Sequence, residues 1–187
     1  TFMINYHKVD TLSDMQAYIA RLRLVDRALG QELEKARSNA ERGVRAPMFA
    51  YEIVIDEARK IISGVPFGDQ VENESAVWAD SMAKISALVE AGEVDTAMAE
   101  TLTDQVRSAL LEGYQPIYEE IIAWLSEDIA NTDSEPRGVW ALPQGEAYYN
   151  QLLSFYTTTN LSAEEVHQIG LEEVERLMAE MAVVKEE

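Results

Sequence analysis

From Met15 onward the apolar residues return at every third or fourth position. Met15, Tyr18, Ile19, Leu22, Val25, Leu29, Leu33, Ala36 and Ala40 make one stripe, the spacing of a helix face. It predicts a first long helix from about Ser13 to Arg42, stopped by Gly43, which can take the left-handed conformation that ends helices. Pro47 suits the first turn of a second helix reaching about Ser63. Its Phe49, Ile53, Val54, Ile55, Ala58, Ile61 and Ile62 form so broad an apolar face that this helix is expected to be the most buried. Residues 64–73 read as a loop, with Gly-Val-Pro and Phe-Gly-Asp as breakers. A third helix then runs from about Glu74 to Glu90, with Trp78, Met82, Ile85 and Val89 in register. Ala91-Gly-Glu-Val breaks it, and Asp95 is placed to cap the fourth. The fourth stripe (Met98, Leu102, Val106, Ala109, Gly113, Ile117, Ile121, Trp124) passes through Pro116 without losing register. That predicts one kinked helix of about 35 residues; two separate helices are the alternative.

The remainder is a loop over 131–144 carrying Pro136, Gly138 and Pro143, a short helix over about 145–156, and a last helix from Ser162 to the end. Ser162-Ala-Glu-Glu165 fits a capping box, in which hydroxyl and carboxylate satisfy each other's backbone amides. Val166, Ile169, Leu177, Met181 and Val184 are the last stripe, and no stop signal follows them. At the other end, residues 1–12 read as an entry segment packed by Phe2, Ile4 and Tyr6. The whole predicts an all-α fold, an irregular bundle of about six helices with its longest helix kinked near Pro116. Residues 1–187 are expected to form a single helical domain: a four-helix portion over 1–131, a loop over 132–144 and a helical hairpin over 145–187. A final helix still in apolar register at its last turn needs a cover. The chain is therefore expected to be a fragment whose first partner is the remainder of its own polypeptide, and to be capable of homodimer formation through the same face.

Composition narrows the function. The 187 residues carry 34 acidic and 15 basic side chains, a net charge of −19. A surface this acidic repels phosphate backbones and anionic lipids, which argues against nucleic acid as a partner. No apolar run approaches the ~20 residues of a membrane span. The absence of cysteine excludes disulfides, thiol catalysis and cysteine-ligated zinc.

Candidate chemistry is sparse. There are two histidines, His7 and His167, and no His-Glu pair. Glu164-x-x-His167 has the i, i+3 spacing of di-iron bundles, but such a site needs two copies on two helices, and His7 has no glutamate three residues before it. His167 borders an apolar stripe. Its plain reading is a core-edge histidine bonded to a carboxylate or carbonyl; its functional reading is a substrate contact. Tyr148 and Tyr149 are adjacent and so point to different faces: one can pack while the other presents its hydroxyl to a cleft. Thr157-Thr-Thr159 suits a helix end held by side-chain-to-backbone hydrogen bonds. Arg45, in the corner Gly43-Val-Arg-Ala-Pro47, either reaches an acidic neighbour or marks a plain turn. No metal ligand set, phosphate loop or nucleophile elbow occurs.

The segment Gly138 to Met181 orders a Leu-Pro-x-Gly turn, the Tyr-Tyr helix start, the threonine run, the capping box and a histidine-bearing helix. With Asn5 to Tyr18, the Gly43–Pro47 corner and Tyr114-Gln-Pro-Ile-Tyr118, it resembles the bacterial domain-of-unknown-function family 885 along essentially the whole chain. Complete members look like helical zinc peptidases, closing a deep cleft between two helical halves, with a His-Glu-x-x-His helix later in the sequence. The resemblance implies the N-terminal, cleft-wall portion of an exported zinc-metallopeptidase-like protein in the periplasm or cell envelope. This segment would be inactive by itself and hold no metal or other cofactor; zinc would belong to the full-length protein, and peptides would be its substrates. Tyr149, His167 and Tyr148 would be substrate-binding residues. The alternative is a non-enzymatic acidic helical module that docks a partner protein.

Overall fold

The computed structural model describes residues 2–68, 73–135 and 137–186. Asp69 and Pro136, two of the expected loop breakers, lie outside the described residues. The fold is all-α, with no β-strand among those residues. The helices are α1 (Phe2–Asn5), α2 (Leu12–Arg23), α3 (Val25–Glu41), α4 (Met48–Ile61), α5 (Ala76–Glu90), α6 (Thr96–Ala109), α7 (Gln115–Asp128), α8 (Gly145–Thr157) and α9 (Ala163–Glu186). The six expected helices are all present. The first is divided in two, the fourth is divided by a π turn, and α1 is added. The chain forms two compact units, Thr1–Pro136 and Arg137–Glu187.

The first unit is organised around the rod α6–π turn–α7. Asp95 caps it as expected, its carboxylate accepting from the Met98 amide at 2.8 Å. Leu110–Tyr114 form the π turn, in which the Gln115 amide reaches back to the Leu110 carbonyl. The wider turn lets the rod continue into Pro116, which has no N–H to give. The change in helix type therefore begins before the proline that signals it.

Two cores lie along the rod. The larger joins α2 and α5 to α6 and the π turn, with Met15, Tyr18, Leu22, Leu88, Leu102, Val106 and Leu110 almost fully enclosed. Each such side chain contributes about 2 kcal/mol from burial. The smaller joins α4 to α7 through Tyr51, Ile55 and Leu125, with Ile121 and Trp124 beside them. The first long helix is broken where its packing partners change. α2 follows the larger core, whereas α3 lies along α7 and the π turn. The chain changes direction at Leu24, whose amide bonds back to Arg21 and Leu22; no glycine or proline marks the place. α2 begins a residue or two before Ser13, because Thr11 and Asp14 make a capping box.

Three other expectations are corrected. α4 is not the most buried helix: Phe49 and Ile53 are 50% and 56% exposed, and only Tyr51, Ile55 and Ala58 are enclosed. A broad apolar face states what could be covered, and α7 covers one side of it. Pro47 is the N-cap of α4, just outside its first turn. In the entry segment Phe2, Ile4 and Tyr6 are exposed, while Met3 and Val9 pack against the larger core and His7 is buried.

Polar side chains join distant parts of this unit. Arg45 reaches the acidic neighbour that its corner position allowed. Its Nε and Nη2 donate to the two oxygens of Asp128 at 2.9 Å each. Tyr51 and Asn131 donate to the same carboxylate at 3.0 Å. These bonds fasten the α3–α4 corner to the end of α7.

Candidate functional site

The expected site residues all lie in the second unit, which begins with a single turn of 3-10 helix, Val139–Ala141. The Leu142 amide bonds to the Val139 carbonyl at 3.0 Å, and the Gly145 amide to the Leu142 carbonyl at 2.9 Å. Gln144 occupies the left-handed region at φ 58° and accepts from the Tyr148 amide at 3.0 Å. The chain folds back so closely here that Gly145 is buried, and a Cβ on it would overlap the Val139 carbonyl. The Leu-Pro-x-Gly pattern thus seats the first turn of α8 directly on the preceding turn. Gly145→Ala is expected to cost about 2 kcal/mol by overpacking and to remove exchange protection from the amides of Leu142 and Gly145. Unchanged protection in that variant would show that the turn is not held by this contact.

The turn fixes where α8 starts, and with it the two tyrosines. Tyr148 is 56% exposed and Tyr149 47%; neither is packed into a core. The far end of α8 is closed by the threonine run. Thr157 Oγ1 donates to the Leu153 carbonyl at 2.8 Å, and the Leu161 amide donates to Thr159 Oγ1 at 3.3 Å. The capping box of α9 follows. The Glu165 amide donates to Ser162 Oγ at 3.3 Å, and the Ser162 amide to Glu165 Oε2 at 2.8 Å. These bonds hold the Glu165 carboxyl below the usual carboxylate range, the Ser162 amide contributing most.

His167 sits one turn into α9, exposed. The core-edge environment that its neighbours in sequence promised is not there. Among the described residues, no hydrogen bond or ring contact joins His167 to Tyr148 or Tyr149. All three residues are exposed.

α9 is the unusual element. Among its described side chains none is buried. Leu177, Met178, Met181 and Val184 are 47%, 63%, 67% and 71% exposed and line an open, nearly all-apolar depression along the helix. Within the helix Arg176 binds Glu173 and Glu180 at 2.6 Å each, and the Gln168 amide donates to Glu172 at 3.0 Å. On α8, Phe155 and Tyr156 are likewise 68% and 76% exposed, stacked edge to face.

No group of three potential ligands among His, Cys, Asp and Glu stands together among the described residues, and a protein zinc site needs three or four. No helix among the described residues is long and apolar enough to cross a membrane.

Comparison with known proteins agrees with the architecture. The chain superposes on a crystal structure described as "the putative lipoprotein from Colwellia psychrerythraea" with a TM-score of 0.78 at 23% sequence identity. The match covers 96% of this chain and 29% of that one, so the chain spans less than a third of that protein's length. No curated protein matches it. The model of the family described as "Bacterial protein of unknown function (DUF885)" matches residues 1–187, and the chain belongs to that family.

Proposed function

We propose that this chain is the N-terminal helical portion of an exported, zinc-metallopeptidase-like envelope protein, forming one wall of its substrate cleft. The observation that carries the reading is α9, 24 residues long with an apolar face and no buried side chain among those described. Contiguous apolar surface of this kind marks an interaction site. The share of the structural neighbour left unmatched supplies a source for the cover: further helices of the same polypeptide. In this reading Tyr148, Tyr149 and His167 stand at the edge of that cover and contact peptide, and any zinc is held by residues outside the chain. The alternative, an acidic module docking a separate protein, uses the same face.

The coding sequence beyond Glu187 separates the two. A His-Glu-x-x-His followed by a glutamate, with chelator-sensitive peptide hydrolysis by the whole protein, supports the first reading; a stop codon soon after sinks it. The isolated chain is expected to hydrolyse no peptide and to retain no zinc after dialysis. Stoichiometric metal that disappears in His167→Ala would overturn that. It is also expected to self-associate through α9 and to bind a hydrophobic dye. Sedimentation as a strict monomer at high concentration without dye binding would remove the argument from α9.

A further inference from the structure

His7 is one of two histidines in the chain, and it is buried in the first unit, between the entry segment and α2. Arg21 of α2 points Nη1 at the His7 Nδ1 at 2.8 Å, with Nε2 of the same ring 3.4 Å away. A guanidinium has only N–H groups to offer, so the ring nitrogen it meets must present a lone pair. The arrangement requires a neutral imidazole. The ring also lies against Tyr18, with centroids 5.2 Å apart.

The other fastening of this segment is a cation too. Lys84 of α5 donates to the Met3 carbonyl at 3.4 Å, and binds both oxygens of Asp80 at 2.6 Å. The second of those oxygens also accepts from Tyr18 at 2.8 Å. The charged groups facing His7 are therefore Arg21 and Asp14 from α2 and Lys84 from α5, the last already committed to Asp80. Burial, then Arg21, then Lys84 hold the His7 ring below its ordinary titration range, against the opposing pull of Asp14. What the segment contributes to the core is small: Met3 and Val9, both only partly buried.

We propose that residues 2–10 form an acid-released strap: protonation of His7 sets a third cation against Arg21 and Lys84 and undocks the segment while the helices beneath stay folded. The sign follows from linkage. A base held neutral in the docked state and free to protonate in the released state favours docking fully above about 6.5. That preference is lost as pH falls below this value. The strap's other bonds are few: the Tyr6 and His7 amides to the Phe2 carbonyl, the Lys8 amide to the Tyr6 carbonyl, and at its end the Asp10 amide to the Asp14 carboxylate at 3.2 Å.

The test is hydrogen exchange followed by mass spectrometry on the full-length protein between about pH 7.5 and 5, corrected for intrinsic rates. Protection of peptides covering residues 2–10 should fall by about tenfold or more on acidification, while peptides from α5 stay protected. His7→Asn keeps an acceptor for Arg21 and cannot titrate, so its strap should stay protected at both pH values. His7→Lys carries the charge permanently and should be released at both. A wild-type strap indifferent to pH, the same acid response in His7→Asn, or loss of protection in α5 in step with the strap would each overturn the proposal.

Discussion

Replacing Asp128 by alanine will destabilise the first unit by about 3 kcal/mol, because it leaves partners behind rather than merely removing a contact. The carboxylate accepts two bonds from Arg45 and one each from Tyr51 and Asn131, at a residue only 8% exposed. Without it, the Tyr51 hydroxyl is enclosed with nothing to donate to, and Arg45 must turn to solvent. Urea unfolding should show a lower midpoint at unchanged slope. A double replacement, Arg45→Met with Asp128→Leu, should cost less than Asp128→Ala, since it removes both charges at similar volume. If the double replacement costs more, the pair is worth more than the desolvation it demands, and the estimate is wrong in kind. The same cluster fixes a pH dependence. Arg45 first, then Asn131 and Tyr51, hold the Asp128 carboxyl below its ordinary 3.8. Its contribution is therefore complete above that value and is lost as the pH falls below it. Tyr51 is pushed up to about 12, burial being the larger cause and Asp128 the next, so it remains a donor throughout.

The features legible in the sequence are those whose cause is local. Asp95 and Ser162-x-x-Glu165 announce helix starts because the atoms they satisfy lie three residues away. The stripe through Pro116 announces a continuous helical rod because the apolar period runs through the proline. Leu24 announces nothing: α2 packs on α5, α6 and the π turn whereas α3 packs on α7 and the π turn, and those partners lie far away in sequence. The apolar face of α4 was plain, yet a stripe records only what can be covered. His7 and Asp128 were hidden for a related reason. Asp128 lies 83 positions from Arg45, and nothing beside either residue names its partner. In the second unit the order was reversed. The turn at Gly145, the threonine run and the capping box were all legible, but the environment of His167 was not. Its neighbours along α9 are apolar, and they face open space.

Tyr149→Phe and His167→Gln, made in the full-length protein, are each expected to lower kcat/KM by more than about tenfold, or ~1.4 kcal/mol of transition-state stabilisation, with almost no change in melting temperature. The second half of that expectation rests on the structure of this chain. Tyr149 is 47% exposed and His167 is exposed, and no hydrogen bond among the described residues engages either. Removing one polar atom from such a side chain leaves nothing unsatisfied, and surface changes of this type alter stability by less than about 0.5 kcal/mol. The first half rests on the proposed function. Gly145 seats the start of α8 against the Val139 carbonyl, and the capping box fixes the start of α9 one turn before His167. Each side chain therefore projects from a rigidly begun helix, as a substrate-positioning group must. Both can donate a hydrogen bond to a peptide carbonyl, and such a bond strengthens as negative charge develops on the oxygen. Tyr148→Phe removes the same atom from the neighbouring position, about 100° around the helix, and tests whether both tyrosines contact peptide. If only one of the two tyrosines faces the cleft, only one replacement should reach tenfold. Activity that falls only in step with stability would make these side chains part of the packing surface and leave the substrate to be held elsewhere.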